Sequence, residues 1–110
     1  MTVQEFKDLL IFAARKEFPE VNITFAERRN ITVEARITVT EDTFIEVYYN
    51  IISEKKSYTL IKNSQRIFGY DNYKYWHVHP FNSVGEHIPC NELSVEVVFE
   101  EIRKIIAGGL

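Results

Sequence analysis

Ile31-Thr32-Val33-Glu34-Ala35-Arg36-Ile37-Thr38-Val39 decides the fold of this chain. Ile31, Val33, Ala35, Ile37 and Val39 alternate with Thr32, Glu34, Arg36 and Thr38. A period of two sustained over this run marks a strand with one buried and one wet face. Downstream, Thr40-Glu41-Asp42 predicts a turn. A second strand then carries Ile45, Val47, Tyr49 and Ile51 on one side and Phe44, Glu46, Tyr48 and Asn50 on the other. Ser53-Glu54-Lys55 predicts the next turn and Lys56 to Lys62 a third strand. Asn63-Ser64 fits a two-residue hairpin connection. Gln65 to Tyr70 reads as a fourth strand, and Asp71-Asn72 marks a turn. Tyr75 to His79 is a short fifth strand, stopped by Pro80 because proline cannot donate to a ladder.

Helices flank this run. Thr2 with Glu5 fits a capping box, and Phe6, Leu9, Leu10 and Ala13 form one apolar stripe up to about Arg15, with Pro19 beyond the end. Near the other end, Asn91 is a sound N-cap. Val95, Val98, Phe99, Ile102, Ile105 and Ile106 form a second stripe, which Gly108-Gly109 terminates. Consecutive strands with short connections are expected to pair antiparallel. The expectation is therefore a single α+β domain over residues 1–110. It has an N-terminal helix, a four- or five-stranded antiparallel meander and a C-terminal helix, with both helices on one sheet face.

The 110 residues suffice for one core and not for two. Apolar residues are 45% and charged residues 26%, an ordinary globular composition that excludes a disordered chain. No apolar run approaches the roughly 20 residues of a membrane span. The N-terminal MTVQEFKDLL has no basic n-region or cleavage site, so no signal peptide is expected. A lone Cys90 excludes an intrachain disulfide scaffold, and a cytoplasmic location follows as the default. The net charge of −3 argues against holding duplex nucleic acid through a broad basic face.

The chemistry-bearing residues concentrate in one stretch. All three histidines, His77, His79 and His87, fall in an eleven-residue window. On an extended strand His77 and His79 share a side, about 7 Å apart. Trp76 and Val78 then face the core, and the imidazoles are expected to stand exposed on the open face.

Three readings follow. In the first, His77 and His79 exchange protons in metal-independent RNA cleavage. Arg66 supplies the cation for phosphorane charge, and Asp71 orients an imidazole by accepting its second N–H. In the second, His77, His79, His87 and Cys90 bind zinc, the metal branch of a non-enzymatic module whose histidine face docks a partner protein or a metal. That set matches no standard zinc-finger spacing and ranks below the first. In the third, the histidines only pack and hydrogen-bond. Trp76 is a core residue with base stacking as its secondary role.

Gln65-Arg66-Ile67-Phe68-Gly69-Tyr70-Asp71-Asn72, then Trp76-His77-Val78-His79-Pro80-Phe81, then His87, stand in order along the chain. This pattern resembles the TumE-type toxin family of toxin–antitoxin modules, in which an R-I-(Y/F)-G-x-D-N segment precedes W-H-x-H-P and a further histidine. The resemblance covers about half the chain. It implies a growth-inhibiting toxin, paired with a helix-turn-helix antitoxin and acting by RNA cleavage. The matching positions are Arg66, Asp71, Asn72, Trp76, His77, His79, Pro80 and His87, and Cys90 lies outside the pattern. The resulting expectation gives catalysis to His77, His79, Arg66 and Asp71, and substrate contacts to Asn72, Trp76 and His87. No cofactor or metal is called for, and no membrane. RNA or the ribosome is the target, and a homodimer is left open.

Overall fold

A computed structural model describes residues 1–109. Helix α1 (Val3–Glu17) is followed by seven strands: β1 (Asn22–Arg28), β2 (Thr32–Thr38), β3 (Thr43–Asn50), β4 (Lys56–Lys62), β5 (Gln65–Asp71), β6 (His77–His79) and β7 (Ile88–Pro89). Helix α2 (Val95–Ala107) closes the chain. The strands form one sheet in the order β1-β2-β3-β4-β5-β6-β7, each antiparallel to its neighbour. The α+β meander with terminal helices is as expected. Its strand count is not, because β1 and β7 join the five that alternation marks.

Alternation fixes the register of the central strands. Ile37, Ile45, Leu60 and Phe68 lie across one line of the sheet, and Ala35, Val47, Tyr58 and Tyr70 across another. These residues, with Phe6, Leu10, Ala13 and Ala14 of α1 and Val95, Val98, Phe99 and Ile102 of α2, make one core cluster. Both helices therefore cover the same face. Each large core side chain removed from water contributes about 1.5–3 kcal/mol.

The caps hold these helices in place. Thr2 and Glu5 exchange side chain-to-backbone hydrogen bonds at 3.0 and 2.9 Å, completing the capping box of α1. The bonds to Thr2 hold the Glu5 carboxyl below its usual range. Ser94, not Asn91, caps α2: its hydroxyl accepts from the Val97 N–H at 3.2 Å. The three residues before it are strapped to β5, because the Tyr70 hydroxyl donates to the Asn91 carbonyl at 3.0 Å and itself accepts from the Leu93 N–H.

Two tight turns use left-handed backbone at residues other than glycine. Asn63 and Ser64 (φ 50° and 65°) form the expected two-residue connection, a primed turn that suits strand twist. Between β1 and β2 the connection is three residues long, and Arg29 and Asn30 (both φ 54°) are the central residues of a turn closed by the Ile31 N–H on the Arg28 carbonyl at 2.9 Å. Between Leu60 and Ile61 the register of β4 against β5 shifts, so that Leu60 faces Phe68 while Ile61 faces Arg66. Ile67 is the extra residue of this bulge. Without it Arg66 would fall in phase with Phe68 and point to the core. With it Arg66 falls in phase with Gly69, on the face away from the helices.

Candidate functional site

The uncovered sheet face carries two rows of side chains. One crosses Ala26, Glu34, Tyr48, Ser57, Asp71 and His77, and the other Thr24, Arg36, Glu46, Thr59, Gly69 and His79. The middle of this face is a shallow groove in which Arg36 is already engaged by Glu46 at 2.8 Å. The histidines stand at the far end of both rows, where β6 pairs with β5. Asp71 lies directly opposite His77, and Gly69 opposite His79.

His77 and His79 project to one side, as the period of two requires. Their expected exposure is corrected: both are buried, each with 3% of its surface accessible. The connection from Pro80 to His87 folds back over them and is fixed by the His79 ring itself, whose Nδ1 lies 3.0 Å from the Val84 carbonyl. His77 Nδ1 lies 2.8 Å from the Tyr75 carbonyl. A carbonyl only accepts, so both Nδ1 atoms carry the proton in each pairing.

The two Nε2 atoms then meet. They are 3.1 Å apart, with His77 Nε2 3.2 Å from Asp71 Oδ1 and His79 Nε2 3.3 Å from Asp71 Oδ2. Asp71 thus faces the Nε2 atoms of both rings, and with both Nδ1 protons on carbonyls a neutral ring offers it no second N–H to accept. It also keeps the turn role read from sequence, since its Oδ1 accepts from the Tyr73 N–H at 3.0 Å. His87 is exposed and roofs the pair, stacked on His77 with centroids 4.9 Å apart and planes 7° apart, and edge-on to His79 at 4.5 Å.

Arg66 is exposed at the margin. A Cβ on Gly69 would stand 3.3 Å from His79 Cδ2 and 3.7 Å from Arg66 Cδ. The contact to Arg66 would be an ordinary one, and only the His79 ring would be crowded, by a few tenths of an ångström. Asn72 spends its amide on the neighbouring hairpin: its oxygen accepts from the Lys56 N–H and its nitrogen donates to the Glu54 carbonyl, each at 2.8 Å. Trp76 lies on the helix side and stacks on Tyr70 at 4.9 Å, so Tyr70, not a base, occupies that ring face.

Cys90 is separated from the cluster. Its N–H bonds the Trp76 carbonyl and its side chain packs against the core, where burial pushes the thiol pKa up. The alternative four-ligand set of three histidines and Cys90 is therefore not formed. The three histidine rings alone bring ligand nitrogens within 4.8 Å of one another.

Asp71, His77, His79 and His87 thus make one centre, wholly on the sheet face that the helices leave uncovered.

No family model, curated protein or solved structure matches this chain. Among the described residues no helix is long and apolar enough to cross a membrane.

Proposed function

We propose that the chain is the toxin of a toxin–antitoxin module and cleaves RNA at the rim of the Asp71–histidine centre. The observation that carries this reading is the convergence of Asp71, His77 and His79 beneath an exposed His87, with the Arg66 stem beside His79. The similarity to the TumE-type pattern supports it at the same positions.

The burial of His77 and His79 redistributes the roles. His87 and Arg66 are the groups a phosphodiester can reach, while the buried pair packs beneath the His87 ring. The 2′-hydroxyl proton passes to His87 and the freed oxygen attacks phosphorus. The P–O5′ bond breaks and the leaving oxygen takes a proton from water, giving a 2′,3′-cyclic phosphate and a 5′-hydroxyl. The guanidinium of Arg66 stabilises the charge that builds on the phosphoryl oxygens. The net charge of −3 favours a target met through a few local contacts, such as RNA on a ribosome, over free duplex. Restraint by a helix-turn-helix antitoxin and a cytoplasmic location belong to the same proposal.

The test is induced expression of the wild-type chain, His87→Ala and Arg66→Ala, with growth and RNA integrity followed together. Both positions are exposed, so the variants are expected to fold. Growth arrest with fragmented RNA that either substitution relieves supports the proposal. Arrest of equal strength in both variants overturns it.

A further inference from the structure

The centre just described holds more acceptors than donors. With both Nδ1 protons committed to the carbonyls of Tyr75 and Val84, each neutral ring turns an Nε2 lone pair inward. Those lone pairs face each other at 3.1 Å and face the two oxygens of a carboxylate at 3.2 and 3.3 Å. Acceptors buried against acceptors are mutually repulsive and require a cation between them. One extra proton on either ring answers one of these contacts. The other ring's lone pair still faces a carboxylate oxygen.

A metal ion answers all three. Zinc takes imidazole nitrogen and carboxylate oxygen at about 2.0–2.2 Å, so neighbouring ligands on a tetrahedron stand about 3.3–3.5 Å apart. The three observed separations lie at or just inside that range. The surroundings also match what bound metals require: a ligating histidine usually donates its remote N–H to a carbonyl or carboxylate, which fixes the tautomer and aims the lone pair. Both rings do so through backbone carbonyls, with no side chain needed.

We propose that Asp71, His77 and His79 bind one divalent transition-metal ion, zinc first among them, with His87 as a fourth ligand. The ligand nitrogens of the three histidines lie within 4.8 Å of one another, wider than a tetrahedral edge. His87 therefore has to move closer to the buried pair to complete the set. Being on the exposed loop, it can also withdraw and leave that position to water or a substrate oxygen. Mixed imidazole and carboxylate donors suit zinc, iron, nickel and cobalt, and disfavour calcium and magnesium. Cys90 has no part in the set. This site stands independently of the RNA reading, since an ion can be held here whatever the chain acts on. If His87 serves as a ligand, its role as a proton acceptor is confined to the state in which it has withdrawn.

The experiment uses the full chain, stripped with a chelator and titrated with zinc chloride. Calorimetry, thermal unfolding and histidine side-chain nitrogen NMR are the readouts. One saturable equivalent, a raised melting temperature and perturbed Nε2 resonances of His77 and His79 are expected. His87→Ala is expected to weaken binding by at least about 10-fold, taking the loss typical of a residue that only supports a ligand as the floor. Asp71→Asn keeps the shape of the site and is expected to weaken binding further. Cobalt in place of zinc should give the intense visible absorption of a tetrahedral nitrogen–oxygen site. Absence of stoichiometric binding overturns the proposal. So do Nε2 resonances that zinc leaves unmoved while a shared proton is seen on the wild-type rings. Zinc binding without toxicity would sink the RNA reading and leave the metal site standing. Toxicity that persists in chelated, zinc-free protein with no binding would do the reverse.

Discussion

Tyr70→Phe isolates the link between β5 and the approach to α2. The ring is almost wholly buried, stacked on Trp76 and 6.0 Å from the ring of Tyr58, and phenylalanine preserves that packing. The change removes only the hydroxyl. That hydroxyl donates to the Asn91 carbonyl at 3.0 Å and accepts from the Leu93 N–H, so one oxygen satisfies two main-chain groups. A net hydrogen bond contributes about 0.5–1.5 kcal/mol, and two give about 1–3 kcal/mol. The carbonyl belongs to exposed Asn91 and water can replace part of the loss there, which sets the expected value near the middle, about 2 kcal/mol. Urea denaturation of both proteins, followed by circular dichroism, measures the difference. The midpoint should fall with the slope unchanged, since the surface exposed on unfolding is the same. A loss below about 0.5 kcal/mol would refute the claim that this hydroxyl fastens the strap.

Two further outcomes follow from the same geometry. Burial pushes the Tyr70 phenol from an ordinary 10.0 up to about 12, and Tyr58 upward as well, so below pH 10 folded and unfolded chains alike keep these protons and the contribution is complete. Between pH 10 and about 12 only the unfolded chain ionises, so stability should fall steeply there, with Tyr70→Phe showing a shallower decline in a pH series of denaturation curves. Gly69→Ala adds a Cβ 3.3 Å from the His79 ring, so the ring must yield by a few tenths of an ångström, offsetting the roughly 0.5–1 kcal/mol that alanine otherwise gains in a strand. Stability near wild type together with an altered His79 side-chain resonance is expected, and an unchanged resonance would contradict the crowding argument.

The sequence made some of this legible. Strict alternation in β2 and β3 fixed which residues enter the core, because a slip of one position would turn every side chain over. The same period placed His77 and His79 side by side. Strand β1 carries little signal in the sequence: it is an outer strand with one partner, and only Ile23 and Phe25 pack against the core among otherwise exposed positions. Its turn at Arg29-Asn30 lacks the glycine that usually signals a primed turn. Strand β7 has two residues, one a proline. The burial of the imidazoles was illegible because an aperiodic loop covers them. The tautomers depend on main-chain carbonyls, which side-chain patterns do not encode. Nor does any pattern mark the bulge at Ile67 that brings Arg66 round to the histidines.

Because the sheet keeps the order of the chain, each strand finds its mate within the next few residues to be synthesised. Such short-range pairing favours rapid, stepwise zipping as the polypeptide emerges. The exception is the clasp between the first and last segments, where Arg103 reaches Glu17 across 86 positions. The sheet's helix-facing surface can be fully enclosed only after the final helix has left the ribosome. Until then, the hydrophobic side waits half-dressed, and a partner that bound there would hold the nascent molecule open.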